Sequence, residues 1–519
     1  MLKKNSIFSY LFIATASFVS VNSVDAQQRA TVSVEKNEKA PTINKHIYGH
    51  FAEHLGRCIY DGFYVGENSK IPNTKGVRND IIAALKDLGI PNLRWPGGCF
   101  ADTYHWKDGI GPKNERPTIV NQWWGGTTED NSFGTHDFLN LCEVLGTEPY
   151  LAANVGSGTV KEFADWVQYV NHDGKSPMAD LRKKNDREKP WGVSIWGVGN
   201  EMWGCGGNMT PEYYANLYRQ YATFMGDWEN SGKLFRIASG ANVADYHWTE
   251  VLMRDIPKNL IEGVALHSYS FVKWEKKGSS TKYDESQYFD TMKTALKMEE
   301  LVTRHSEIMD KYDPAKKIAL IVDEWGGWYD VEEGTNPGFL YQQNTMRDAM
   351  IAGTTLNIFN NHSDRVRMAN LAQTVNVLQA VILTKGEKMI LTPTYHVMQL
   401  YKVHQDAKLL PVKVLTPDYK FGDATLPAIS ASASVKEGKT HVSLVNIDSK
   451  NAITVDVDLA TSNLKGFTAK IVSSAKLQDH NTFENPNVIA PKDFKDFKFK
   501  NGVLSVTLPP FSVVVLEGK

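Results

Sequence analysis

Charge of one sign, cysteine and long apolar runs are all scarce in this 519-residue chain. Its 57 Lys and Arg nearly balance 59 Asp and Glu, leaving a net charge of −2. No basic run is long enough to hold a polyanion, which argues against nucleic acid as a partner. The four cysteines, Cys58, Cys99, Cys142 and Cys205, are too scattered for a Cys-x-x-Cys zinc motif. They allow three full pairings and their spacing selects none, so the expectation is buried thiols or at most one bridge. Beyond the N-terminus no stretch is apolar enough to span a membrane. No Gly-x-Gly-x-x-Gly turn opens the first unit, and neither a Gly-x-Ser-x-Gly elbow nor a His-Glu-x-x-His pair is present. Dinucleotide binding, serine hydrolysis and zinc-dependent hydrolysis are therefore disfavoured.

What is present begins at the N-terminus. Lys3 and Lys4 precede an apolar stretch from Ile7 to about Val19, and Val24 and Ala26 fit a small-residue cleavage rule. Residues 1–26 read as a secretory signal peptide cut near Ala26, with a periplasmic or extracellular mature protein. The apolar core is shorter than the roughly 20 residues that an uncleaved anchor needs.

From about residue 45 to 400, short β-branched runs alternate with stretches whose apolar residues recur every three or four positions. Eight strand candidates emerge: "INKHIYGHF", "PNLRWPGG", "EPYLAANVG", "VSIWGVGNE", "LFRIASGAN", "GVALHSYS", "KIALIVDEWGG" and "TTLNIFNNHS". "TPEYY" has a helix start's signature, with Thr210 as N-cap and Pro211 at the first turn. Eightfold strand–helix alternation predicts an α/β fold, a (β/α)8 barrel, ahead of an open doubly wound sheet. Residues 401–519 change texture: "HVSLVNI", "ITVDVDL", "FTAKIV" and "GVLSVTLPPFSVVVLE" alternate apolar and polar residues between turns. That predicts an antiparallel β-sandwich of jelly-roll type. Residues 27–44 carry one more strand, "RATVSVEKNEKAP", suited to join it.

Catalytic groups of such barrels gather at the C-terminal ends of the strands. Those ends carry Glu53, Arg94, Asn154, Asn200 and Glu201, His267 and Tyr269, Asp323 and Glu324, and His362 in turn. Two glutamates at facing tips, each followed by Trp and Gly, suit glycosidic-bond hydrolysis. That reaction needs a proton donor for the leaving oxygen and a second carboxylate as nucleophile or base. A structural His267, and His136 and Asp137 as helix-start residues, are the plainer readings of those positions. Trp123 and Trp124 could wall a sugar cleft or pack a loop. Apolar neighbours such as Trp196 and Trp203 would keep Glu201 protonated, and Tyr269 or Arg94 would keep Glu324 ionised.

Six blocks, "GHFAEHLGRCIYDGFYVG", "NLRWPGGCFADTYHWKDGIGP", "WGVGNEMWG", "ALHSYS", "VDEWGGWY" and "MANLAQTVNVLQAVI", together resemble the α-L-arabinofuranosidases of glycoside hydrolase family 51. The resemblance implies Glu201 as general acid/base and Glu324 as nucleophile of a retaining, exo-acting enzyme on arabinan or arabinoxylan-type glycans. It implies that Asn200 binds the sugar 2-hydroxyl and that Glu53 and Arg94 bind furanose hydroxyls. His267 and Tyr269 would line the site and Gln373 would complete its floor. It further points to a homo-oligomer. Cys99 stands where some relatives have a sugar-contacting Asn, and cannot supply an amide's hydrogen bonds. No metal or organic cofactor is needed by this chemistry. The alternatives are a β-xylosidase or endo-glucanase on the same scaffold and a non-catalytic carbohydrate-binding protein.

Overall fold

The computed structural model describes residues 28–35, 37–459 and 464–519, so the leader reading over residues 1–26 lies outside the described residues. Eight parallel strands close into a barrel: β1 (Gly49–Phe51), β2 (Asn92–Trp95), β3 (Glu148–Ala153), β4 (Ile195–Val198), β5 (Phe235–Asn242), β6 (Gly263–Ser270), β7 (Ala319–Gly327) and β8 (Val366–Ala372). Each neighbours the next in chain order, and β8 returns to β1. Helices α1 (Asn79–Leu88), α2 (Thr135–Leu145), α3 (Val160–Asn171), α4 (Pro177–Lys184), α5 (Pro211–Phe224), α6 (Tyr246–Asp255), α7 (Glu285–Tyr312) and α8 (Met346–Asn361) cross between strands, and α9 (Pro393–Tyr401) follows the barrel. The barrel and its C-terminal antiparallel sheets match the predicted fold class. Local signals explain the helix starts. At α5 the Thr210 hydroxyl accepts from the Tyr213 N–H and Pro211 opens the first turn.

One strand assignment fails. "TTLNIFNNHS" is not the eighth strand but the second half of α8, and β8 lies after it. All of α8 except Asn361 is buried, because barrel and sandwich cover it from opposite sides. A helix buried all round has no polar face, so its periodicity disappears and Thr354, Thr355 and Ile358 read as a strand.

The sandwich has two sheets. One orders Val412–Leu415, Gln28–Val34, Ile453–Asp458, Val503–Leu508 and Phe497–Lys500. The N-terminal strand thus lies parallel to Ile453–Asp458, its Arg29 guanidinium 2.6 Å from Asp456. The other includes Ile429–Lys436, Lys439–Asn446, Ser512–Gly518 and Phe467–Val472, and meets α8. At that seam Asn357 and Asn360 bond Ser430 and Ser432, so the buried amides are satisfied.

Beneath the barrel mouth the inward side chains of Tyr150, Ile195, Ile237, Ala265, Ala319, Ile321 and Met368 form an apolar plug. Tyr150 marks its top: its ring belongs to the plug and its hydroxyl donates to Asp323 Oδ2 at 2.7 Å. Above that bond the charged groups of the mouth begin.

Candidate active site

Barrel register does much of the positioning. On β6 and β7, His267 pairs directly with Glu324, and the strand pairing slips by one residue just before it. Similar slips fall near the mouth in β5–β6 and β7–β8; such bulges re-aim side chains. Arg94, at the end of β2, is buried and reaches three groups. Nη1 donates to Glu324 Oε1 at 3.0 Å and Nη2 to Asn200 Oδ1 at 2.7 Å, while Nε lies 3.6 Å from Asp323. The Tyr269 hydroxyl donates to the other Glu324 oxygen at 2.8 Å. Glu324 is thus held by one cation and one hydroxyl, the partners an ionised carboxylate wants. Since Arg94 claims Asn200 Oδ1, the amide NH₂ is the end of Asn200 left for a ligand.

Glu201 sits just past β4 with φ 43°, in the left-handed region that a non-glycine residue enters at a cost of about 1–3 kcal/mol. The turn aims its carboxyl inward, against His267. The ring Nδ1 is 2.9 Å from Glu201 Oε1 and 3.6 Å from Glu324, and Nε2 is 3.1 Å from Asp323 Oδ1. Burial opposes a charged imidazole here, but the Glu324 charge and Asp323's hydrogen bond and charge outweigh it, lifting the pKa to about 10. Both ring nitrogens then donate. Burial likewise opposes an ionised Asp323, yet Arg94 and His267 hold it below the usual range. Glu201 moves the other way: burial, helped by the Glu324 charge, raises its pKa in spite of the His267 bond. A carboxylate oxygen of Glu201 and one of Glu324 lie within 4.8 Å of each other.

Glu53, beyond β1, is fully enclosed. Oε1 accepts from the Gly98 and Phe100 N–H groups and from Trp124 Nε1, and Oε2 accepts from Gln373 Nε2 at 2.9 Å. Burial first, then the Glu324 charge, push its pKa up to about 7 against those donors. Gly97 and Gly98 are glycines for lack of room: a Cβ on Gly97 would lie 2.7 Å from Glu53 Cγ, and one on Gly98 the same distance from Glu324 Oε1. Glu53, Glu201, Tyr269, Glu324 and Gln373 line a narrow pocket of about 50 Å³, with Cys99, Trp124 and Trp328 also in its walls. Larger open grooves lie along α7 and beside Tyr64, but the carboxylate pair does not line them.

The structure brings together Glu53, Arg94, Cys99, Asn200, Glu201, His267, Tyr269, Glu324 and Gln373. It does not bring in Asn154, whose side chain closes its own turn onto Ser157 and Gly158, nor His362, which ends α8 beside Glu299. Trp196 is no neighbour of Glu201 either; its ring packs outward on Phe163 and Trp166 of α3. Trp124 serves the site, while His136 bonds Tyr169 and Asp137 caps α2. Cys99 is bridged to Cys205, and Cys58 and Cys142 are buried thiols. Sequence reasoning missed Asp102, whose carboxylate accepts the N–H groups of Val155, Gly156 and Asn200 at 2.8 Å each. Burial lifts its pKa to about 7 against those three donors. It pins the ends of β3 and β4 together, and nothing in "CFADTY" announces that. Trp328 was visible only as the last Trp of "VDEWGGWY".

A (β/α)8 barrel with two close carboxylates in a strand-end pocket defines a glycoside hydrolase of the two-carboxylate type. Comparison with known proteins narrows this. The α-L-arabinofuranosidase 1 domain model matches residues 84–302 and the α-L-arabinofuranosidase C-terminal domain model residues 323–512. An intracellular exo-α-L-arabinofuranosidase of Bacteroides ovatus is 52% identical over 98% of this chain and 99% of its own. α-L-Arabinofuranosidase C of Emericella nidulans is 31% identical over 85% of this chain and 90% of its own. The crystal structure of the GH51 arabinofuranosidase from Xanthomonas axonopodis pv. citri superposes with a TM-score of 0.93 at 47% identity, covering 95% of this chain and all of that one. The α-L-arabinofuranosidase of Thermotoga maritima, solved as an arabinose complex, gives 0.82 at 31% identity, covering 95% and 99%. This chain belongs to the α-L-arabinofuranosidases of glycoside hydrolase family 51.

The comparison corrects one expectation. Export after cleavage near Ala26 does not stand, because the relative that matches nearly end to end is named as intracellular. No helix among the described residues is long and apolar enough to cross a membrane.

Proposed function

We propose that the chain removes terminal α-L-arabinofuranosyl residues from arabinose-containing glycans by double displacement, with Glu201 as acid/base and Glu324 as nucleophile. The observation that carries this is the approach of the two carboxylates to within 4.8 Å inside one pocket. Retaining enzymes hold the pair about 5–5.5 Å apart, whereas inverting enzymes need about 6.5–9.5 Å to admit water. The pocket form favours exo attack over the open groove an endo-glucanase needs, and the Bacteroides ovatus relative carries "exo" in its name.

His267 donates to Oε1 of Glu201, so the acidic proton belongs on Oε2. From there it passes to the glycosidic oxygen as Glu324 attacks the anomeric carbon from the other side. Arg94 and Tyr269 hold the Glu324 oxygens for that attack. Once the glycosyl ester forms, the Glu324 charge is gone and one cause of the raised Glu201 pKa goes with it. Glu201 then becomes the base that activates water. Asn200 offers its NH₂ to the sugar, and Gln373 its Oε1, which has no partner among the described residues. Glu53 positions Gln373 and faces the furanose hydroxyls. We also assign residues 45–400 to the catalytic barrel and 401–519, with the N-terminal strand, to the sandwich, and take the assembly to be a homo-oligomer.

The test is turnover of 4-nitrophenyl α-L-arabinofuranoside, with the product anomer followed by NMR. First-formed α-arabinofuranose supports the reading; first-formed β-product, or preference for a xyloside or glucan, rejects it.

A further inference from the structure

The Cys99–Cys205 bridge lies against the proton donor. Cys205 Sγ is 3.5 Å and Cys99 Sγ 3.9 Å from Oε2 of Glu201, the oxygen that His267 leaves free. Both cysteines are partly exposed, whereas Cys58 and Cys142 are buried. We propose that Cys99, Cys205 and Glu201 form a redox-gated site for a thiophilic divalent cation, closed as the disulfide and opened by reduction. An occupying Zn²⁺ would take Oε2 of Glu201 and stop hydrolysis. The inhibitory half rests on Glu201 being the acid/base; the metal site does not.

Geometry and ligand chemistry both support the site. The two Sγ atoms and the Glu201 oxygen all lie within 4.8 Å of one another. Tetrahedral zinc, with Zn–S near 2.3 Å and Zn–O near 2.1 Å, sets thiolate–carboxylate separations of about 3.6 Å. The sulfur–oxygen distances already bracket that value, and Cα atoms 5.5 Å apart leave the sulfurs room to separate around an ion. Two thiolates and one carboxylate leave a fourth position toward the sugar pocket. As a disulfide the same sulfurs carry no thiolate and ligate poorly, so the bridge keeps the acid's oxygen free.

The chemistry balances. A dithiol attacks one sulfur, the Cys–Cys bond breaks, and the dithiol closes to its own disulfide. Its two electrons and two protons leave Cys99 and Cys205 as thiols. Zn²⁺ then displaces both thiol protons, and the Glu201 proton if present, to solvent. Reducing compartments keep such thiols open and oxidising ones close them, so the state of the site follows its surroundings.

The experiment compares full-length enzyme as purified with enzyme reduced by tris(2-carboxyethyl)phosphine and desalted without oxygen. Native thiol titration should find two thiols more after reduction. Micromolar Zn²⁺ should lower turnover of 4-nitrophenyl α-L-arabinofuranoside at least tenfold in the reduced form only, with EDTA restoring it. Cd²⁺ should give a thiolate-to-metal ultraviolet band in the reduced form. Both responses should survive in Cys142→Ala and vanish in Cys205→Ser, each judged against its own metal-free rate. Equal zinc inhibition of both redox forms would overturn the proposal, as would a bridge that opens only on unfolding. Absence of the cadmium band would also sink the metal site while leaving the Glu201 reading intact. A band without loss of rate would keep the site and overturn its inhibitory half, with Glu201 as required acid.

Discussion

The barrel mouth and the sandwich interior are both buried, yet they are built on opposite terms. In the sandwich Val442, Leu444, Val455, Val457, Leu504, Val506 and Leu516 are fully enclosed, and burial of that kind stabilises in proportion to apolar area. Around the mouth Glu53, Arg94, Asp102, His267, Asp323 and Glu324 are nearly as enclosed and carry four carboxylates beside one guanidinium and one imidazole. Desolvating such charges opposes folding unless each is paired, and here the pairing is incomplete by design. Glu53 feels the Glu324 charge, and so does Glu201. Chemistry selects the mouth against stability, and the apolar core that barrel and sandwich share offsets that cost. Activity and stability should therefore separate cleanly between the two regions.

The largest effects break the mouth alone. Glu324→Ala should lower kcat by more than the 10²–10⁴-fold that loss of a general acid typically costs, because no covalent intermediate can form. Glu201→Ala should fall within that range for 4-nitrophenyl arabinofuranoside and further for oligosaccharides, whose leaving groups need the proton. Azide should partly rescue both. Glu201→Ala should hold or raise the melting temperature, since burial disfavours that acid's charge, whereas Glu324→Ala, which takes a charge partner from buried Arg94 and His267, should lower it. A large fall in melting temperature with modest loss of kcat would reverse the assignment of regions. The mirror experiment is Leu444→Ala in the sandwich: about 2–5 kcal/mol of stability lost, measured by denaturant unfolding, with kcat unchanged well below the transition.

How far the sequence foretold this division follows the same physics. The first seven strands were readable because each lies in a short, mostly apolar stretch bounded by turns, although in "INKHIYGHF" only Gly49–Phe51 is strand and Lys45–Tyr48 is a single helical turn. Glu201 and Glu324 stood out because a carboxylate in an apolar strand tip needs a reason. The eighth strand was misplaced because α8 is buried on every side, which erases the period that marks a helix. Asp102 was invisible because its role is to collect three backbone N–H groups from strands remote in sequence. The Cys99–Cys205 bridge was equally hidden: a separation of 106 residues carries no pairing signal until β2 and β4 bring their ends to one rim.

Smaller effects sharpen the comparison through pH. Glu53 holds its proton more tightly folded than unfolded, with a pKa of about 7 against an ordinary 4.5. Its contribution is fully present below about pH 4.5 and declines as pH rises through 7, by about 3 kcal/mol at most. Glu53→Gln should therefore flatten the fall in melting temperature between pH 4.5 and 8 while lowering kcat/KM. The slope left over belongs in part to Asp102, whose pKa also lies near 7. His267 has the same sign in another window: its pKa of about 10 means that its ion pairing stabilises below 6.5 and is lost as pH rises through 10. An unchanged slope in Glu53→Gln would mean that the donors on Glu53 keep it ionised throughout.

The smallest effect tests whether the sandwich depends on charge at all. Arg29 ties the N-terminal strand to Asp456, but its side chain is 61% exposed, and exposed pairs contribute about 0–1 kcal/mol. The strand is held instead by its ladders to Val412–Leu415 and Ile453–Asp458 and by Ala30 and Val32, which are buried between the sheets. Arg29→Ala should shift the melting temperature by less than about 2 °C and leave kcat untouched. Ala30→Asp, which puts an unpaired carboxylate into that apolar layer, should instead unfold the sandwich edge. The mouth accepts such a charge because Arg94 and His267 answer it. Among the described residues of the sandwich no Lys or Arg is buried, and that contrast is the reason the two regions should respond oppositely to the same kind of substitution.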